Sequence, residues 1–162
     1  MKILGIDPGY GRCGVCVIDA SARPETVLFS DCIETKGSTD MFERFKIVSD
    51  AVLSAIKLYQ PQVMAIEKLF FDKNTKTAID VAQVRGALMM IAAQENLQLF
   101  EYTPAQIKVA VTGYGKASKR DVIFMVPKLV KSEKISSGVK IIDDEYDAIA
   151  TALTCAASEK FQ

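Results

Sequence analysis

The first third of the chain carries its apolar residues in short blocks separated by turn residues. Lys2 to Ile6 is one such block, ending in Asp7 and the Pro8-Gly9 pair. Gly14 to Ile18 is a second and Val27 to Glu34 a third, with Ser21 to Pro24 between them. Three short β-rich runs with no room for a helix between them predict an antiparallel meander. The period then changes. Met41, Phe45, Val48, Val52, Ala55 and Tyr59 recur at spacings of three and four, which predicts an amphipathic helix opened by Asp40 and closed at Gln60-Pro61. Val63 to Ile66 predicts a buried strand ending in Glu67. Residues 74–95 predict a long helix that is apolar on nearly every side, hence central or covered by a second subunit.

Leu97 to Tyr102 predicts a fifth strand, and Pro104 precedes a helix from about Ala105 that Gly113 and Gly115 close. Ser118 and Asp121 open a further helix that Pro127 is expected to kink or end. Ser132 to Gly138 reads as a polar loop, and Asp143 to Ser158 as a final alanine-rich helix. No repeat, low-complexity segment or domain boundary is visible, so residues 1–162 read as one domain. The order of elements gives an α/β fold: a five-stranded mixed sheet, antiparallel first and parallel after, flanked by helices.

Composition matters most through what it lacks. The chain has no histidine. That excludes Ser-His-Asp and Cys-His catalysis, a histidine general base and histidine-ligated zinc. Chemistry must come from carboxylates, lysines, thiols, hydroxyls or a metal on oxygen ligands. The net charge of +0 hides a segregation. Residues 1–67 carry −2, residues 68–140 carry +6 and residues 141–162 carry −4. A basic middle beside acidic ends suits a polyanion-binding surface next to an acidic cluster, although scatter on a solvated surface would produce the same tally. The longest apolar run, Ala87 to Ala93, is far short of the ~20 residues that span a bilayer. With no leader pattern at the N-terminus, a cytoplasmic protein with reduced cysteines is expected. Cys13 and Cys16 sit three apart in a strand, on opposite faces, and so make a poor metal or redox pair.

Gly9-Tyr10-Gly11-Arg12-Cys13-Gly14 matches the dinucleotide-binding pattern in letters. That motif needs a helix next, whereas Val15 to Ile18 read as strand, so the glycines serve a hairpin. The acidic residues say more. Asp7 and Glu67 each end an apolar strand, where a carboxylate is costly without a cationic partner. Asp144 and Asp147 lie three apart near the start of the last helix and share a face, and Asp143 with Asp147 forms an equally good helical pair. Simple capping or turn roles are open to Asp143, Asp144 and Asp7, and least to Glu67. If four carboxylates converge, the site needs cations. Two Mg2+ ions on oxygen ligands would supply them and would suit phosphodiester hydrolysis.

The blocks Gly5-Ile6-Asp7-Pro8-Gly9, Ala65-Ile66-Glu67, Lys73-Asn74, Gln83-Val84-Arg85-Gly86, Lys108, Gly113-Tyr114-Gly115 and Asp144-x-x-Asp147-Ala148 occur in this order across nearly the whole chain. Together they resemble the RuvC family of bacterial Holliday junction resolvases. The resemblance implies an RNase H-like fold, a homodimer, and symmetrical nicking of four-way DNA junctions; the apolar character of helix 74–95 makes it the expected interface. It implies Asp7, Glu67, Asp144 and Asp147 as ligands of two Mg2+ per subunit, with Mn2+ as a substitute, and so favours Asp144 over Asp143. Lys108 becomes a catalytic-face lysine. Phe70 becomes a base-stacking aromatic, with Lys73, Lys76, Arg85, Lys108, Lys116, Lys119 and Arg120 on the DNA-binding side. Arg85 fits either a phosphate contact or a subunit contact. The RuvA and RuvB branch-migration proteins are implied as partners. Two other functions fit the same residues: an RNA-processing or single-strand nuclease of the same fold, and a non-catalytic junction-binding module, against which four intact carboxylates argue.

Overall fold

The computed structural model describes residues 1–69 and 75–159, and for residues 75–77 the backbone alone. The sheet-forming strands are β1 (Lys2–Asp7), β2 (Arg12–Asp19), β3 (Glu25–Glu34), β4 (Val63–Glu67), β5 (Gln98–Tyr102) and β6 (Val130–Lys131). The helices are α1 (Met41–Tyr59), α2 (Thr75–Gln94), α3 (Pro104–Thr112), α4 (Lys119–Leu129), α5 (Glu133–Ser136) and α6 (Asp143–Ser158). The strands form one sheet in the order β5-β4-β1-β2-β3-β6. β1, β2 and β3 pair antiparallel, while β4 runs parallel to β1 and β5 parallel to β4.

Strand alternation divides the core in two. Leu4, Ile6, Val15, Val17, Met64 and Ile66 pack with Val48, Val52 and Ile56 of α1 and with Val84 and Leu88 of α2. Ile3, Cys16, Ile18, Val63 and Ala65 pack with Ile107, Val111, Val122, Val126 and the small residues of α6. Successive strand residues point to opposite faces. Asp7 therefore shares the face of Ile3, and Glu67 the face of Val63 and Ala65, which is the face α6 covers. Cys13 and Cys16 fall into different clusters, as their spacing requires.

Helix α6 lies almost directly on the sheet backbone. A Cβ at Gly14 would meet the Asp144 carbonyl oxygen at 1.9 Å, and one at Gly5 would meet the Ala148 carbonyl at 2.3 Å. Glycine on the strands and alanine on the helix thus set how near the acidic helix comes to β1 and β2. The other helices start where their sequences say. Asp40 accepts from the Phe42 N–H at 2.9 Å, and Thr103–Gln106 and Ser118–Asp121 form capping boxes.

Three local features differ from expectation. The sheet has a sixth strand, β6, two residues long and parallel to β3. The segment 132–138 contains α5, a single turn capped by Ser132. Elements this short carry no periodic signal. Pro127 does not end its helix, because α4 runs on to Leu129. The hydrogen bond a proline forfeits falls here in the closing turn, where it costs least continuity. Since the Gly14 contact is backbone to backbone, Gly14→Ala should destabilise the fold by at least about 1–3 kcal/mol, the range for an overpacked core site. Urea unfolding of the purified variant measures this.

Candidate active site

The register of β1 against β4 explains why two residues sixty positions apart meet. Ile6 pairs with Ile66, so Asp7 and Glu67 each emerge one step beyond the last paired residues, side by side on one face. On the other side of β1, Asp7 pairs with Gly14, the residue on which the Asp144 backbone rests. Asp147 lies one helical turn further along α6. Four carboxylates from β1, β4 and α6 thus face one another at the carboxyl ends of the strands.

Their electrostatics record the convergence. Burial, then the charges of Glu67, Asp147 and Asp144, push the Asp7 carboxyl from its ordinary 3.8 up to about 8. Burial and Asp147 push Glu67 from 4.5 up to about 7, with Lys119 and Lys108 acting against the rise. Burial also raises Asp147, although Lys119 donates to its Oδ2 at 2.8 Å. Burial works against the Lys119 charge, but Asp147, Asp143 and Asp144 outweigh it and hold the ammonium above its usual range. Both members of this pair shift upward because burial, helped by the charges of Asp144 and Asp143, outweighs what Lys119 does for Asp147.

Arg12 answers Asp144, with Nε 3.4 Å from Oδ2. That is an ion-pair distance without a hydrogen bond, and Asp144 Oδ2 is buried with no hydrogen-bond partner. Among the described residues, no three acidic or cysteine side chains are grouped as a ready-made metal site. Lys119 and Arg12 hold two of the carboxylates instead. The donor set nonetheless fits a hard divalent ion: oxygen ligands only, one of them buried and unsatisfied, and the three others with raised carboxyl pKa values that a nearby cation would lower.

The cleft extends past the carboxylates. One hollow of about 230 Å³ is lined by Glu67, Lys108, Lys119 and Asp147, with Pro104, Ile107 and Val122 beneath. A neighbouring hollow is lined by Asp7, Pro8, Glu67, Lys68, Leu69 and Pro104. A larger groove, about 590 Å³, runs between β3 and the 131–134 segment and contains none of the four carboxylates. Lys116 and Arg120 are exposed beside Lys119. Arg85 turns inward: it forms an ion pair with Glu101, and its Nε donates to the Glu67 backbone oxygen at 3.0 Å. Phe70 and Lys73 lie outside the described residues, and Lys76 is described only by its backbone. Asp143 stays on the rim, 3.8 Å from Lys119, while Asp144 is buried. Arg12 escaped sequence reasoning because it sits inside the glycine motif assigned to the hairpin.

A meander extended by parallel strands, with helices on both faces and carboxylates at the strand ends, places the protein in the RNase H-like class. It matches the RuvC structure of Thermus thermophilus with a TM-score of 0.84 and 27% identity, covering 96% of this chain and 93% of that one. The same protein in complex with a Holliday junction substrate matches with a TM-score of 0.85, 28% identity and the same coverage. The family model for crossover junction endodeoxyribonuclease RuvC matches residues 3–155, and the chain belongs to that family. The crossover junction endodeoxyribonuclease RuvC of Thermosipho melanesiensis is 39% identical over 161 residues, covering 99% of this chain and 100% of that protein. That of Caldicellulosiruptor saccharolyticus is 41% identical over 154 residues, covering 94% of this chain and 90% of that one.

The raised Asp7 carboxyl gives a pH prediction. With no cation bound, the folded state favours a protonated Asp7, so its contribution is fully present below about pH 4 and is lost as pH rises to about 8. Asp7→Asn should therefore make the metal-free protein more stable at pH 8 by at least about 1 kcal/mol, with the difference vanishing near pH 4. Thermal unfolding in chelator across that range measures it.

Proposed function

We propose that this protein is a homodimeric, divalent-metal-dependent endonuclease that resolves four-way DNA junctions by symmetrical nicking, in recombination and repair. One observation carries the reading most directly: Asp7 and Glu67 are held together by strand register against the acidic turn of α6, with carboxyl groups shifted to about 8 and about 7. Burying carboxylates beside like charges is costly for the fold alone, and bound cations would offset that cost.

Asp7, Glu67, Asp144 and Asp147 are the residues that would hold Mg2+, two ions per subunit, with Mn2+ as a substitute. Such ions supply water activation and stabilisation of the leaving oxygen in phosphodiester hydrolysis. The chain's own groups do the rest. The strands fix the carboxylates, so little reorganisation is needed when substrate arrives. Lys108 and Lys119 flank the hollow beside Glu67 and bring compact positive charge to a phosphate whose oxygens gain charge during cleavage. Lys119 and Arg12, paired with Asp147 and Asp144 in the metal-free protein, would be free to meet the DNA backbone once cations occupied those carboxylates. Lys116 and Arg120 continue the basic surface, and the segment carrying Phe70, Lys73 and Lys76 would supply stacking and further phosphate contacts.

The second subunit would sit against α2. Ile79 is 61% exposed and Met90 58% exposed on that helix, an apolar surface in need of a cover. Two sites related by a two-fold axis would cut two opposed strands. The RuvA–RuvB branch-migration complex is the cellular partner in this reading.

A synthetic four-way junction incubated with and without Mg2+, its products sized on a denaturing gel, tests the activity. Paired nicks that require Mg2+ are expected; a preference for RNA or for linear single strands would point to the RNA-processing reading, and binding without cleavage to a non-catalytic module. Glu67→Gln should lower cleavage by several orders of magnitude while leaving metal-free junction binding intact, because it removes a metal ligand and no phosphate contact. Equal loss of both would make Glu67 structural. Sedimentation at micromolar concentration should show a dimer, and Met90→Glu should shift it toward monomer.

A further inference from the structure

Glu145 follows Asp144 directly but turns toward β3 instead of toward Asp7. It is only 2% exposed. Its Oε1 accepts the Ile142 N–H at 3.2 Å. Its Oε2 accepts from Ser30 Oγ at 2.8 Å and from Lys134 Nζ at 2.6 Å. Lys134 Nζ donates also to the Ser30 carbonyl at 2.9 Å. One carboxylate therefore ties together β3, the single turn α5 and the start of α6.

The location gives this network its meaning. The N-cap position of α6 is Ile142, whose side chain cannot cap the first turn, and the side-chain contact made at this helix start is Glu145 reaching back to accept the Ile142 N–H. The same turn carries Asp144 and, one turn on, Asp147. Helix positions advance about 100° per residue, so a small rotation or slide of this turn moves both carboxylates relative to Asp7 and Glu67. The glycine contact under Asp144 limits how close the helix comes to the sheet, but does not by itself stop it sliding along the strands. A buried ion pair adds little net stability over an apolar replacement; its best-attested use is to fix register.

We propose that Glu145 is a positioning residue, which through Ser30 and Lys134 fixes the first turn of α6 and thereby the separation of Asp144 and Asp147 from Asp7 and Glu67 on which divalent-cation affinity depends. This rests on the metal-dependent reading above. It assigns a role in the site to three residues, Ser30, Lys134 and Glu145, that lie outside the acidic cleft.

The test is Mn2+ binding by titration calorimetry, with junction cleavage followed against Mn2+ concentration, each variant held well below its thermal midpoint. Glu145→Ala should weaken Mn2+ binding about 10–100-fold, the usual effect of losing a group that orients ligands, with metal-free junction binding unchanged. Glu145→Gln keeps an acceptor for Ile142 and a partner for Ser30 but loses the acceptor for Lys134, so it should recover only part of that loss. If Glu145→Ala does not fold, Lys134→Met removes the tie to α5 while leaving the helix cap, and Mn2+ binding should still weaken. A folded Glu145→Ala or Lys134→Met protein that binds Mn2+ as tightly as the unaltered chain, even with a lowered thermal midpoint, overturns the proposal and leaves a structural role alone. An unaltered protein that neither binds Mn2+ nor cuts the junction overturns the metal reading, and this proposal with it.

Discussion

Like charges cannot be gathered in a half-buried cleft unless cations or protons come with them. The four carboxylates at the strand ends are subject to that constraint, and much of the surrounding structure answers it. Lys119 stands at the first turn of α4, where the helix dipole disfavours a cation, and is held there by Asp147 and Asp143. Arg12 leans from the start of β2 toward Asp144. Asp7, which forms no ion pair among the described residues, has its carboxyl raised to about 8, by burial first and then by its acidic neighbours. The cluster is therefore a strained centre from which a divalent ion would release both basic side chains.

The backbone keeps that strain from dispersing. Asp7 and Glu67 are fixed by sheet register, and the acidic helix is seated on glycine with no side chain between. Arg85 adds a brace, since its Nε holds the carbonyl of Glu67 while its guanidinium engages Glu101 on the neighbouring strand β5. This internal anchorage accounts for an arginine on a helix with few charges, a position that fitted either a phosphate or a subunit contact in the sequence.

Most of the fold was legible because its elements are long enough to show a period. The meander, α1, β4, α2, β5 and α6 all lie within a few residues of where alternation and helical spacing put them. The strand-end acids were legible for a different reason: after Val63 to Ile66, a carboxylate has little structural use. What escaped was short, or depended on three-dimensional pairing. β6 and α5 are too brief to carry a pattern. Arg12 was hidden in a glycine-rich turn, and Glu145 looked like one more acid in a helix's first turn until Ser30 and Lys134 were seen to meet it. The choice between Asp143 and Asp144 needed depth, which spacing alone does not encode: one is on the rim, the other is buried.

The carboxylates come from positions 7, 67, 144 and 147, so the centre spans nearly the full length of the polypeptide. During synthesis the meander and β4 can pair long before α6 has been made. Until that last helix leaves the ribosome and settles on Gly5 and Gly14, Asp7 and Glu67 stand side by side without the two carboxylates that complete the centre.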